Sequence, residues 1–161
     1  MRLEPEDEVT LRRITDLAIS PDGGAVVYGV SEVDLLNNRR TTRLWRHASE
    51  NGVPSALTTG GATERFPAWS PDGTSIAFVT SGPGGDRLMV VPAAGGRPSE
   101  LLGPADGFIP STIFGGRPGG GPSYAWSPDS RAIACLIREG DATPGELSVE
   151  GPRMPEYQRL D

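Results

Sequence analysis

The chain has 161 residues, a formal net charge of −6 and an isoelectric point near 4.8, which argues against a general electrostatic attraction to nucleic acid or an anionic membrane. Gly (22) and Pro (16) together make nearly a quarter of it, so many turns between short elements are expected and long helices are not. All fifteen basic residues are Arg, a bias of composition that weakens any single arginine as a signal for phosphate or carboxylate recognition.

The chain opens with an acidic segment, Pro5-Glu6-Asp7-Glu8, followed by Val9, Leu11 and Ile14 at roughly helical spacing. This pattern predicts a short helical lead-in over residues 1–16, with Pro5 in its first turn and the carboxylates favourable near a helix N-terminus. No apolar core of signal-peptide length and no stretch of membrane-spanning length is present, so a soluble cytoplasmic protein is expected.

Three related segments then organise the chain: Ala18-Ile19-Ser20-Pro21-Asp22-Gly23, Ala68-Trp69-Ser70-Pro71-Asp72-Gly73 and Ala125-Trp126-Ser127-Pro128-Asp129-Ser130. Their serines lie 50 and 57 positions apart, the period of a supersecondary unit. Within each, Pro sets the dihedral of a turn's second position, Asp bonds back to local backbone, and Gly accepts unusual dihedrals on exit, so each reads as a tight reversal between strands. An apolar run follows every turn: Ala25-Val26-Val27-Tyr28-Gly29-Val30, Ser75-Ile76-Ala77-Phe78-Val79 and Ala132-Ile133-Ala134-Cys135-Leu136-Ile137. These runs barely alternate, which predicts strands covered on both faces.

Further along, Arg43-Leu44-Trp45 precedes Gly52-Val53-Pro54-Ser55-Ala56-Leu57, and Arg87-Leu88-Met89-Val90-Val91 precedes Gly96-Arg97-Pro98-Ser99-Glu100-Leu101. They read as third and fourth strands, and four short strands in about 50 residues is the arithmetic of a β-propeller blade. The expected architecture is all-β: two blades over residues 17–102, a Gly/Pro-rich insertion over 103–123, and an incomplete third blade over 124–161. In that last blade only Glu146-Leu147-Ser148-Val149 resembles a third strand.

The chemistry-bearing residues read as structural. Asp22, Asp72 and Asp129 recur because the turn requires them, and no metal-loop spacing surrounds them. Trp69 and Trp126 read as packing between blades. Cys135 is the only cysteine, which excludes a disulfide framework and a cysteine-built zinc site, and it sits in an apolar run as a small buried hydrophobe. The only histidine, His47, reads as a solvated surface residue. The glycine run Gly115-Gly116-Arg117-Pro118-Gly119-Gly120-Gly121 lacks the following Lys and helix of a phosphate cradle. No catalytic residue, cofactor or metal is expected.

The segment Phe66-Pro67-Ala68-Trp69-Ser70-Pro71-Asp72-Gly73-Thr74-Ser75-Ile76-Ala77-Phe78-Val79 resembles the WD40-like repeats of the TolB type. Pro5-Glu6-Asp7 leading into Leu11-Arg12-Arg13-Ile14-Thr15-Asp16, with Asp34-Leu35 and Asn38-Arg39 in the first blade, is similar to the start of acylaminoacyl-peptidase-like members of the prolyl oligopeptidase (S9) family. That resemblance implies an N-terminal propeller that restricts access to a C-terminal α/β-hydrolase domain. The family's Gly-x-Ser-x-Gly elbow is absent: Gly29-Val30-Ser31-Glu32-Val33 lacks the second Gly. The expectation is therefore a truncated, non-catalytic propeller portion whose partners are the parent's missing blades and hydrolase domain, with peptide substrate reached only through the parent. The alternative is a stand-alone TolB-like interaction module that completes its ring by self-association or on a partner. End blades would show apolar residues such as Val26, Tyr28, Ile133 and Leu136.

Overall fold

In the computed structural model, residues 12–34, 38–48, 52–59, 62–107 and 122–137 are described. They are almost entirely β-structure. Four antiparallel strands form the first blade: β1 (Arg13–Ile19), β2 (Ala25–Asp34), β3 (Arg39–Ala48) and β4 (Ser55–Ala56). A second blade repeats the order with β5 (Thr63–Trp69), β6 (Ser75–Gly82), β7 (Gly85–Pro92) and β8 (Ser99–Leu102). A parallel bridge, Thr42 with Thr63, links the two. The third unit contributes a hairpin of β9 (Tyr124–Trp126) and β10 (Ile133–Cys135).

One expectation is corrected at the start of the chain. Arg13, Ile14, Thr15 and Asp16, assigned above to the helical lead-in, are strand, and Arg13 and Ile14 pair with Ser31 and Val30 of β2. Two β-branched residues and a long edge offered by β2 outweigh a weak helical spacing that only three apolar residues supported. The other residues of that predicted helix, 1–11, lie outside the described ones, as do 108–121 of the insertion and Glu146-Leu147-Ser148-Val149. The insertion begins with a single 3-10 turn, Pro104–Asp106, closed by the left-handed Gly107.

Each repeated turn is built by the same atoms. In the first, Ser20 Oγ donates to Asp22 Oδ1 (2.6 Å), and Asp22 Oδ1 also accepts from Gly24 N (2.9 Å). Ser20 Oγ in turn accepts from Ala25 N (2.8 Å), which starts β2. Ser70 with Asp72, and Ser127 with Asp129, reproduce the pattern at 2.6 Å each. Gly23 and Gly73 leave the turn with φ of 71° and 73°, which glycine adopts without strain.

The core lies between blades. Val27, Leu44 and Leu57 of the first pack against Ile76, Phe78 and Val91 of the second. Ala77, Val79, Leu88 and Val90 of the second pack against Tyr124, with Trp126, Ile133 and Cys135 alongside. This sandwiching explains a difference between equivalent strands. In β6 the run Ile76, Ala77, Phe78, Val79 is wholly buried, as its continuous apolar sequence predicted. In β2, burial alternates: Ala25, Val27, Gly29 and Ser31 are buried, whereas Val26, Tyr28 and Val30 are only partly so, because among the described residues no blade packs on that face of the first.

Candidate functional site

The first strands of the three units approach one another, and the polar contacts that fasten blade to blade gather along them. Trp69 Nε1 donates to the Ala18 carbonyl of the first blade at 3.2 Å, and Trp126 Nε1 to the Ala68 carbonyl of the second at 3.1 Å. Ala18 and Ala68 stand at the same place in their repeats, so one rule joins both pairs: the tryptophan ahead of each turn grips the alanine ahead of the previous one. Trp69 and Trp126 are therefore spacers with a polar handle, which an indole supplies and a phenyl ring cannot.

A bulge interrupts β5 between Arg65 and Ala68, and Phe66 there takes φ of 55°. Left-handed backbone at a bulky residue is unfavourable unless its surroundings hold it. Here both neighbours do. Phe66 N donates to Asp16 Oδ1 of the first blade (3.3 Å), and the Tyr124 hydroxyl of the third lies between the carbonyls of Phe66 and Ala77, 3.0 Å from the latter. Burial pushes the Tyr124 phenol well above its ordinary range, so it stays a hydroxyl donor.

Glu64 is the buried carboxylate of the described residues, 6% exposed. Its Oε2 accepts from Leu44 N of the first blade (2.9 Å) and from the Thr58 hydroxyl, which itself accepts from Leu44 N (3.2 Å). Glu64 thus clasps β3 and the segment that follows β4 across the blade boundary. Desolvation raises its pKa, opposed by the two hydrogen bonds and by Arg43. Nothing in the repeat pattern distinguished Glu64, because the matching position of the first blade is Ile14.

The candidates read from the sequence are dispersed. Asp22, Asp72 and Asp129 are exposed, each in its own turn, and each is held below the ordinary carboxylate range, first by its serine hydroxyl and next by a turn N–H. His47 lies on β3 opposite Val26, whereas Ser31 lies five residues further along β2 and is 3% exposed. Five strand steps span about 16 Å, far beyond the roughly 3 Å needed between a nucleophile and its base. Cys135 is partly buried beside Tyr124's cluster, and burial raises its thiol pKa. Among the described residues, no three His, Cys, Asp or Glu side chains gather as a metal-ligand set, and no helix is long and apolar enough to cross a membrane. Ser130 escaped the sequence reading. It replaces the turn glycine, keeps φ at 62°, and its hydroxyl accepts from Asp72 N of the neighbouring turn at 2.9 Å.

On the open face of the first blade, Arg12, Ile14, Tyr28, Val30, Trp45 and Pro54 line a shallow groove of about 260 Å³. It collects no convergent set of acid, base and nucleophile. What the described residues do form is a stack of two four-stranded units and a hairpin, each fastened to the next through its first strand. They are β-propeller blades. The solved structures agree: the β-propeller domain of the Trilobed protease from Pyrococcus furiosus superposes with a TM-score of 0.57 at 20% identity, covering 78% of this chain and 33% of that one. Acylaminoacyl peptidase from Pyrococcus horikoshii gives a TM-score of 0.60 at 18% identity, over 89% of this chain and 20% of that one. In sequence, the chain is 37% identical over 79 residues to dipeptidyl-peptidase 5 of Porphyromonas gingivalis, 49% of this chain and 12% of that protein. The matched stretch covers about an eighth of the length of this curated relative. No family model matches the chain.

Proposed function

We propose that this chain supplies non-catalytic blades to the propeller of an S9-type serine peptidase, where the propeller governs which peptides reach a hydrolase domain lying outside these residues. The observation that carries the reading is the 37% identity to dipeptidyl-peptidase 5 over 79 residues, in a chain whose described residues fold as propeller blades. The scatter of Ser31, His47 and the turn aspartates supports a scaffold role, since hydrolysis by this family's chemistry requires a nucleophile, base and orienting acid in mutual contact. In such a protein, closely packed blades exclude bulky substrates by shape, and stiffness of the blade junctions sets how well they do so.

Two measurements test it. Reading the coding region beyond codon 161 is expected to find further blades and a Gly-x-Ser-x-Gly elbow; absence of any hydrolase coding sequence there overturns the proposal. The isolated chain is expected to leave dipeptidyl and acylaminoacyl chromogenic substrates intact. Turnover that a serine-directed reagent abolishes would show instead that this chain carries its own active site.

A further inference from the structure

In a stack of repeats, stability is close to a sum of unit and nearest-neighbour terms, so a change in the third unit is not felt in the first. One residue of this stack is built to break that rule. Phe66 takes φ of 55° in the bulge of β5, and it is followed by Pro67, whose ring narrows the dihedrals open to the residue before it. Glycine adopts such a backbone freely, whereas a phenylalanine holds it only where the surroundings over-determine it.

The two groups that hold Phe66 come from different units. Its N–H donates to Asp16 Oδ1 of the first blade at 3.3 Å, and Asp16 lies in the matching irregularity of β1, between Ile14 and Leu17. Its carbonyl meets the hydroxyl of Tyr124, the first residue of β9, and that hydroxyl is also 3.0 Å from the Ala77 carbonyl. A left-handed non-glycine residue shifts an equilibrium unfavourably by about tenfold, and one hydrogen bond returns about fivefold net. One tie therefore does not offset the backbone of Phe66, and two do.

We propose that Phe66 is a conformational coupler: the ties from Asp16 and Tyr124 hold its left-handed backbone jointly, so that loss of the third unit's tie releases the first blade's tie as well. The first and third units are thereby linked through the second, and the stack loosens as one body instead of blade by blade. The inference rests on contacts among the described residues and not on the peptidase reading.

Urea unfolding of the 161-residue chain, followed by circular dichroism, tests this in a double-mutant cycle. Asp16→Ala and Tyr124→Phe are each expected to shift the unfolding equilibrium at least about fivefold, and the double variant less than about threefold beyond the larger single change. In a Phe66→Gly background, where positive φ carries no strain, the two changes are expected to multiply. Changes that multiply with Phe66 in place overturn the proposal. So does failure to multiply in both backgrounds, because the coupling then runs directly from the Asp16 charge to Tyr124, whose phenol pKa that charge helps to raise.

Hydrogen exchange covers the case in which a double variant does not fold. In Tyr124→Phe alone, the Phe66 amide, which bonds to Asp16, is expected to exchange at least about tenfold faster relative to the Ala25 amide, held within the first turn by Ser20 Oγ. An unchanged ratio overturns the proposal. Neither measurement depends on whether a hydrolase domain is encoded downstream, so the two readings fail separately.

Discussion

The same register position is occupied by Trp69 in a covered blade face and by Ile19 in an open one, and this pair isolates what stacking contributes. Replacing Trp69 with Phe removes the 3.2 Å hydrogen bond to the Ala18 carbonyl while keeping an aromatic ring against Val27 and Phe78's cluster. Loss of one intramolecular hydrogen bond costs about 1 kcal/mol net. The smaller ring gives up roughly 40 Å² of contact, about another 1 kcal/mol at ~25 cal/mol per Å². At a urea slope of about 2 kcal/mol/M, a combined loss of about 2 kcal/mol lowers the unfolding midpoint by about 1 M. Ile19→Ala, at 65% exposure, is expected to move the midpoint by less than about 0.3 M, because a surface truncation changes stability by roughly 0.5 kcal/mol or less. Far-UV circular dichroism during urea titration at a concentration where the chain is monomeric reads both. Equal shifts for the two variants, or none for Trp69→Phe, would refute the claim that the tryptophan fastens blade to blade.

Three further outcomes follow from the contacts. Glu64 has a raised folded-state pKa, so the folded chain holds more protons than the unfolded chain just above the ordinary Glu range. Stability therefore falls as pH rises through that window, and Glu64→Gln is expected to flatten this part of the stability–pH curve measured by thermal melting; an unchanged slope would contradict it. The three turn aspartates have lowered folded-state pKa values, so their contribution is present above the ordinary Asp range and is lost as pH falls through the folded values. Carbon-detected NMR titration is expected to show Asp22, Asp72 and Asp129 protonating below the ordinary Asp range, and Ser70→Ala is expected to raise the Asp72 value selectively. Ser130→Ala keeps the left-handed backbone and loses the hydroxyl that accepts from Asp72 N, so it is expected to cost about 1–2 kcal/mol in a thermal melt, whereas Ser130→Gly relieves the strain and costs less. The reverse order would show that the left-handed backbone at this position carries no strain for a side chain, and a Ser130→Ala variant as stable as the wild type would show that the hydroxyl contributes nothing.

Much of this molecule is local, and what is local could be read directly. Ser-Pro-Asp closes its turn through atoms at most five residues apart, so Ser20, Ser70 and Ser127 announce three reversals without reference to the rest of the chain. The strands after those turns, and the repeat period that makes them blades, follow from the same short-range pattern. Residues 13–16 are strand and not helix because helical spacing in Val9, Leu11 and Ile14 says nothing of the β2 edge on which Ile14 pairs with Val30. What joins the blades is non-local: Trp69 reaches Ala18 across 51 positions, Trp126 reaches Ala68 across 58, and Glu64 meets Leu44 across 20. Sequence alone determined that blades exist, because a turn and its flanking strands are specified by neighbours along the chain. Only the tertiary structure decided which strand faces the neighbouring blades cover and which carboxylate is buried, because burial depends on what arrives from elsewhere in space.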